Sequence, residues 1–184
     1  MKIALQLARG VVLLAVLAGA ASNVALANHY ILPCAPDCRD MRIGPGMTGS
    51  WFVPDQSGHG FTIEVLPGKP LQMLVSWFVF EPQGGHAWII AQGPINGARA
   101  VLRGNRVTGS GGRFPPNFDA AGVRADPWGT LTLAFGDCNH GRVEWDSTAP
   151  GYGYGIVNIE RLTLPAGLTC DGTGRAGDAE DVPR

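Results

Sequence analysis

Charge is scarce in this sequence, and lysine is scarcer still. Asp, Glu, Lys and Arg make up 16% of the 184 residues, and Lys2 and Lys69 are the only lysines. No Lys/Arg run exists, so electrostatic attraction to nucleic acid or to an anionic bilayer is not expected. No stretch reads convincingly as an internal helix. The nucleophile-elbow pattern G-x-S-x-G is missing, and no two of His29, His59, His86 and His140 stand at H-x-H or H-x3-H spacing. Nothing local therefore enforces a serine nucleophile or a metal site, and no catalytic residue, metal or other cofactor is assigned.

The one long apolar run is N-terminal. Lys2 and Arg9 precede Gly10–Ala21, and Ala25-Leu26-Ala27 places small residues where a signal peptidase reads them. A spanning helix needs about 20 apolar residues, and this run is shorter and interrupted by Gly19 and Asn23. Residues 1–27 are thus expected to be a signal peptide, with no membrane span after cleavage and a periplasmic or extracellular product. Cleavage removes two of 14 basic residues, leaving 12 against 15 acidic ones, a formal charge of −3 over 157 residues. His29 becomes the second residue, which rules it out as a terminal histidine brace.

All four cysteines follow the leader. An even count in an oxidising compartment suggests two disulfides with three possible pairings. Cys34–Cys38 with Cys138–Cys170 is favoured, because the second pair brackets the last hairpin and clips the chain end to the sheet. A zinc site of four thiolates would need a spacing that C-x3-C and two isolated cysteines do not supply.

What is abundant is two-residue alternation broken by Gly and Pro. Residues 28–47 form a Cys-bearing lead-in loop, and residues 48–170 a single β-domain. A short strand around Ser50–Val53 ends at Pro54-Asp55-Gln56-Ser57-Gly58. Phe61, Ile63 and Val65 then alternate with Thr62 and Glu64. Leu71–Phe80 is apolar on both faces and reads as a central strand covered on each side. His86–Gln92 returns, followed by weaker strands at Ala98–Arg103 and Asn105–Thr108. Gly109–Pro127 reads as a 19-residue Gly/Pro-rich loop. Thr130–Phe135, Arg142–Trp145 and Tyr152–Leu164 complete the set, and residues 171–184 read as a disordered tail. The fold class is all-β: an antiparallel meander of seven to eight strands, closed or partly open as a barrel, with a β-sandwich as the alternative.

The pattern G-x-W-x5-S-G-x-G-F (Gly49, Trp51, Ser57, Gly58, Gly60, Phe61), then Trp77–Phe80, then Gly84 and Trp88, resembles a family of secreted bacterial β-domains of unknown function. Gly111–Phe114, PWGTLTLAFGDCNHG over Pro127–Gly141 and Arg161–Cys170 extend the resemblance to most of the domain. It implies the same Cys138–Cys170 pairing. It assigns no catalytic or binding residue.

Ser57-Gly58-His59-Gly60 reads as a turn needing positive φ at a glycine rather than as a nucleophile and its base. Glu64 and Glu144 fall on solvent faces, away from any paired-carboxylate cleft. Strand tryptophans are expected to pack in the core. Trp128 and Tyr152 lie beside loops, where exposed rings would stack on a ligand. The expected function is a non-enzymatic, exported binding module with its site at a barrel mouth ringed by loops 54–59, 81–86 and 109–128. His59, His86, Trp128 and Tyr152 are the candidate ligand-binding residues. An envelope glycan, a small apolar ligand or a protein is the expected partner. The alternative is a hydrolase using a loop histidine and carboxylate, such as His59 with Asp55.

Overall fold

Alternating apolar residues close one sheet on itself, because each strand presents its apolar face to the same interior. The computed structural model describes residues 41–109 and 112–171. It is a closed barrel of eight antiparallel strands in meander order. These are β1 (Gly49–Phe52), β2 (Gly60–Leu66), β3 (Gln72–Phe80), β4 (His86–Asn96), β5 (Arg99–Gly109), β6 (Val123–Phe135), β7 (His140–Ser147) and β8 (Tyr154–Arg161). The barrel, not the sandwich, is the architecture. The leader, the Cys34–Cys38 pairing and residues 172–184 lie outside the described residues.

The seam joins β1 to β8 through Trp51↔Arg161 and Phe52↔Glu160. It is short. Ser50 extends it, its carbonyl accepting from the Leu162 and Thr163 backbone N–H groups and its own N–H donating to Thr163 Oγ1 at 2.9 Å. Trp51, Phe61, Ile63, Met73, Val75, Ile89, Leu102, Leu131, Leu133, Phe135, Val143 and Ile159 fill the interior. Glu64 and Arg103 point out to solvent, and Arg142 and Glu144 pair with each other on the outer face.

Meander order sets the loops at two ends. One end carries the turns after β2, β4 and β6, together with the chain entering β1 and leaving β8. This end is stapled. The chain enters through Met41, Ile43 and a 3-10 turn at Pro45–Met47, all buried against the core save Pro45. Met41 N–H donates to the Phe135 carbonyl and Ile43 N–H to Gly97. Trp51 Nε1 donates to the Met47 carbonyl at 3.1 Å. Cys138 and Cys170 are bonded, tying the turn after β6 to the chain beyond β8.

Three expectations are corrected. The Gly109–Pro127 loop is shorter than expected: β5 runs unbroken through Gly104 to Gly109, and β6 begins at Val123, pairing Val107↔Ala125 and Arg106↔Asp126. The irregular part ends in a 3-10 turn, Ala120–Gly122, capped by Asp119. A bulge absorbs the mismatch that disguised this segment. Gly104 pairs with Gly129 and Asn105 with Pro127, so Trp128 is the additional residue. Gly129 takes φ 154°, and a Cβ there would lie 2.3 Å from the Asp146 carbonyl oxygen. Secondly, β3 is not covered on both sides, since Phe78 and Phe80 sit half-exposed on the outer wall. Thirdly, Trp88 is not core. It pairs with Phe78 across the strands, 55% exposed, with ring centroids 6.2 Å apart.

Several strand glycines make room for rings inside the barrel. A Cβ on Gly155 would lie 2.3 Å from Trp145 Cζ2, and one on Gly141 2.7 Å from Phe135 Cδ1. Trp145 has little freedom to retreat, because its Nε1 donates to the Tyr152 carbonyl at 3.3 Å. Gly155→Ala is therefore expected to destabilise by about 1–3 kcal/mol through overpacking. Urea unfolding checks this, and an unchanged midpoint would show that Trp145 yields.

Candidate functional site

The other end carries the β1–β2, β3–β4, β5–β6 and β7–β8 loops. Here the interior changes character. Trp77 on β3 stands at its centre. It stacks on Phe61 at 5.0 Å and meets Trp145 at 5.6 Å and Trp128 edge-on at 5.9 Å. Trp128 in turn meets Tyr152 edge-on at 5.6 Å. Such tilted and edge contacts match the charge distribution of the rings as well as their shape. Period-2 pairing puts Trp77 inside. The bulge does the same for Trp128, and its carbonyl is pinned by Ser147 Oγ at 2.7 Å and Thr148 N–H at 3.0 Å.

Among these rings stands a cation. Arg106 pairs with Ile89, which is fully buried in the interior, so it faces inward too. Its guanidinium lies 5.9 Å from the Tyr152 ring centroid, and Nη1 donates to Glu81 Oε1 at 3.3 Å. The nearby Tyr152 hydroxyl does most to raise the Arg106 pKa above its ordinary value. Burial opposes this, and Glu81 and Asp126 add to it. That hydroxyl is close without meeting hydrogen-bond geometry: neither Tyr152 Oη nor Arg106 Nε has a partner among the described residues. Asp126 accepts from Thr108 Oγ1 at 2.7 Å and lies 3.8 Å from Arg124 Nε. Arg106 and Arg124 are thus each matched by a carboxylate, Glu81 and Asp126.

Loops from opposite walls meet over this end. Gly151, in the β7–β8 loop, lies against the β3–β4 loop, where a Cβ on it would be 3.2 Å from Pro82 Cβ. Two strands separate these hairpins on either side of the ring, so their contact bridges the barrel. The strap carries Tyr152 between Gly151 and Gly153, both at positive φ (86° and 57°). One end of the barrel is covalently stapled, while this one is only strapped.

Of the candidate residues, the structure brings His59, Trp128 and Tyr152 to this one end. His59 Nδ1 accepts from Trp77 Nε1 at 3.3 Å, and its Nε2 lies 3.1 Å from Gln56 Oε1. Both nitrogens are engaged, and Asp55 is not their partner. The glycine turn beside it has the positive φ expected, 109° at Gly58. Trp128 is corrected. It is 0% exposed, inside the barrel, and not an exposed stacking ring. His86 stays apart on the outer wall, its ring 5.1 Å from Phe80. Arg106, Trp77 and Trp145 belong to the site and were not among the candidates. The ring of loops also includes 148–153, because the last strand runs Tyr154–Arg161 rather than Tyr152–Leu164.

Burial pulls the His59 pKa below its ordinary value, and an indole donor on Nδ1 gives the neutral ring a fixed tautomer. An unfolded histidine takes its proton near about 6.5. Between the two values the unfolded chain binds more protons, so stability is full above about 6.5 and falls as pH drops through the folded pKa. Thermal unfolding between pH 7.5 and 5 should show this fall, and His59→Gln should flatten it. An equal slope in the variant would place its origin elsewhere.

Away from this end, Asp137 and His140 form a turn by the disulfide. Burial opposes the Asp137 charge, but hydrogen bonds from Asn139 N–H, the His140 ring and His140 N–H outweigh it and hold its pKa low. His140 thus serves the stapled end. Among the described residues no group of three His, Cys, Asp or Glu side chains could hold a metal ion, and none of their helices is long and apolar enough to cross a membrane. Comparison of the chain with protein families, with characterised proteins and with solved structures finds no match.

Proposed function

We propose that this protein is an exported binding module that encloses a small, mainly apolar ligand beneath the strap of its barrel. One observation carries the reading: the strapped end gathers Trp77, Trp128, Trp145 and Tyr152 around an inward arginine. Ligand sites in barrels favour such mouths, with apolar linings and a few polar groups. The glycines beside Tyr152 give the strap the backbone freedom to lift. The Cys138–Cys170 bond suits an oxidising compartment. Of the partners considered, a small ligand is favoured over a glycan, because the rings lie inside the barrel rather than on a flat exposed face.

Small aromatic compounds test this. Ethylbenzene, acetophenone and benzoate share one ring and differ in the substituent. At least one should raise the melting temperature in a concentration-dependent way, since a ligand that prefers the folded form stabilises it by mass action. No rise with any of the three would overturn the reading.

A further inference from the structure

Three polar atoms at the strapped end are buried without a hydrogen-bond partner among the described residues: Trp128 Nε1, Tyr152 Oη and Arg106 Nε. Among the described residues whose side chains are less than exposed, they are the whole set. They are also neighbours. Tyr152 stands between the other two, its ring 5.6 Å from that of Trp128 and 5.9 Å from the Arg106 guanidinium. Trp128 is fully buried. The benzo edge of its indole faces β5, where a Cβ on Gly104 would lie 3.1 Å from Cε3, so Nε1 is on the opposite edge.

The chemistry of these atoms is one-sided. An indole N–H and an arginine Nε–H only donate, and a tyrosine hydroxyl can donate. Buried donors left unmatched are costly, so what they share is a demand for an acceptor oxygen. The charge of that oxygen follows from its surroundings. Arg106 already meets Glu81 at 3.3 Å, and Arg124 lies 3.8 Å from Asp126. Each of these two cations already has a carboxylate partner, so an entering carboxylate would have to compete with Glu81 or Asp126 for its counter-charge.

Resting on the proposed ligand site, we infer that its ligand carries an uncharged acceptor oxygen, a carbonyl or its equivalent, which Trp128, Tyr152 and Arg106 recognise together. The apolar remainder lies against Trp77 and Trp145.

The three compounds named above separate the inference from the reading beneath it. In a purely apolar lining ethylbenzene binds better than acetophenone, whose carbonyl loses its water. The trio reverses that order. Calorimetric titration of the oxidised, full chain should give acetophenone about tenfold tighter binding than ethylbenzene, with benzoate weaker than acetophenone. Tyr152→Phe removes only the hydroxyl and should keep or raise the unfolding temperature, since the atom removed is an unmatched polar group. It should also reduce the acetophenone preference several-fold. Trp128→Phe should act in the same direction. Ethylbenzene binding as well as acetophenone would overturn the inference and leave the ligand site standing. Benzoate binding tightest would overturn the neutral head group, and binding by none would overturn both.

Discussion

Replacing Arg161 with methionine should lower the unfolding free energy by about 2–4 kcal/mol, because hydrogen bonds from a charged donor are worth about 1.5–3 kcal/mol each and several are lost together. The side chain is at the β1–β8 seam, where the barrel closes. Its guanidinium lies 4.4 Å from the Trp51 ring centroid. It donates to the carbonyls of Gly46 at 2.8 Å, Thr48 at 3.3 Å and Thr163 at 3.4 Å, and through Nε to Cys138. One planar fork thus ties the lead-in, the seam and the turn after β6. Burial pulls its pKa below the ordinary arginine value, so the charge is retained because the carbonyls around it repay its desolvation. Methionine keeps the stem volume and leaves those acceptors unmatched, each costing about 1–3 kcal/mol where water cannot reach. Lysine should recover only part of the loss, because it lacks the fork. Urea unfolding gives the number. A loss below about 1 kcal/mol would show that water takes over the carbonyls.

Breaking the Cys138–Cys170 bond should cost about 3–4 kcal/mol, from the entropy an unfolded chain regains when a loop of this length opens. The paired Cys138→Ser, Cys170→Ser variant tests it without exposing a thiol. The tail it holds is packed against the lead-in: a Cβ on Gly46 would lie 2.3 Å from the Thr169 carbonyl oxygen. The Cys138 carbonyl also accepts from Arg161, so disulfide and arginine brace the same turn. Their losses should therefore fail to add, the combined variant falling short of the sum by more than about 0.5 kcal/mol. Strict additivity would mean that the two act on separate parts of the end.

Where alternation was clean, it placed side chains correctly. Phe61, Ile63, Met73, Val75, Trp77, Leu131, Leu133 and Val143 all lie inside as their period demands. Trp88 was legible too, in hindsight of its neighbours. Ala87, Ile89, Ala91 and Ile95 face inward on β4, and strict two-residue alternation therefore sends Trp88 outward. Counting rings as core concealed that. The apolar outer face of β3 has the same cause. It belongs to the wall at the strapped end, not to a second layer.

The candidate site was half-legible for a different reason. Pro127 and Gly129 look like loop residues, yet they flank a bulge that turns Trp128 inward. Nothing local encodes the register that places Arg106 opposite Ile89. The strap is likewise a contact between hairpins about 70 residues apart, Pro82 with Gly151, invisible to any window of the chain. His59 was found through its motif, but its role comes from Trp77, 18 positions on.

The most direct measurement is the shift of each indole Nε1–H resonance as acetophenone is added. Trp51, Trp77 and Trp145 have acceptors in the Met47 carbonyl, the His59 ring and the Tyr152 carbonyl, while Trp128 has none among the described residues. The Trp128 resonance should move downfield on saturation as it gains an acceptor. Trp51 at the stapled end and Trp88 on the outer wall should stay where they are. A stationary Trp128, or movement of Trp51 or Trp88 in its place, would contradict a ligand site beneath the strap.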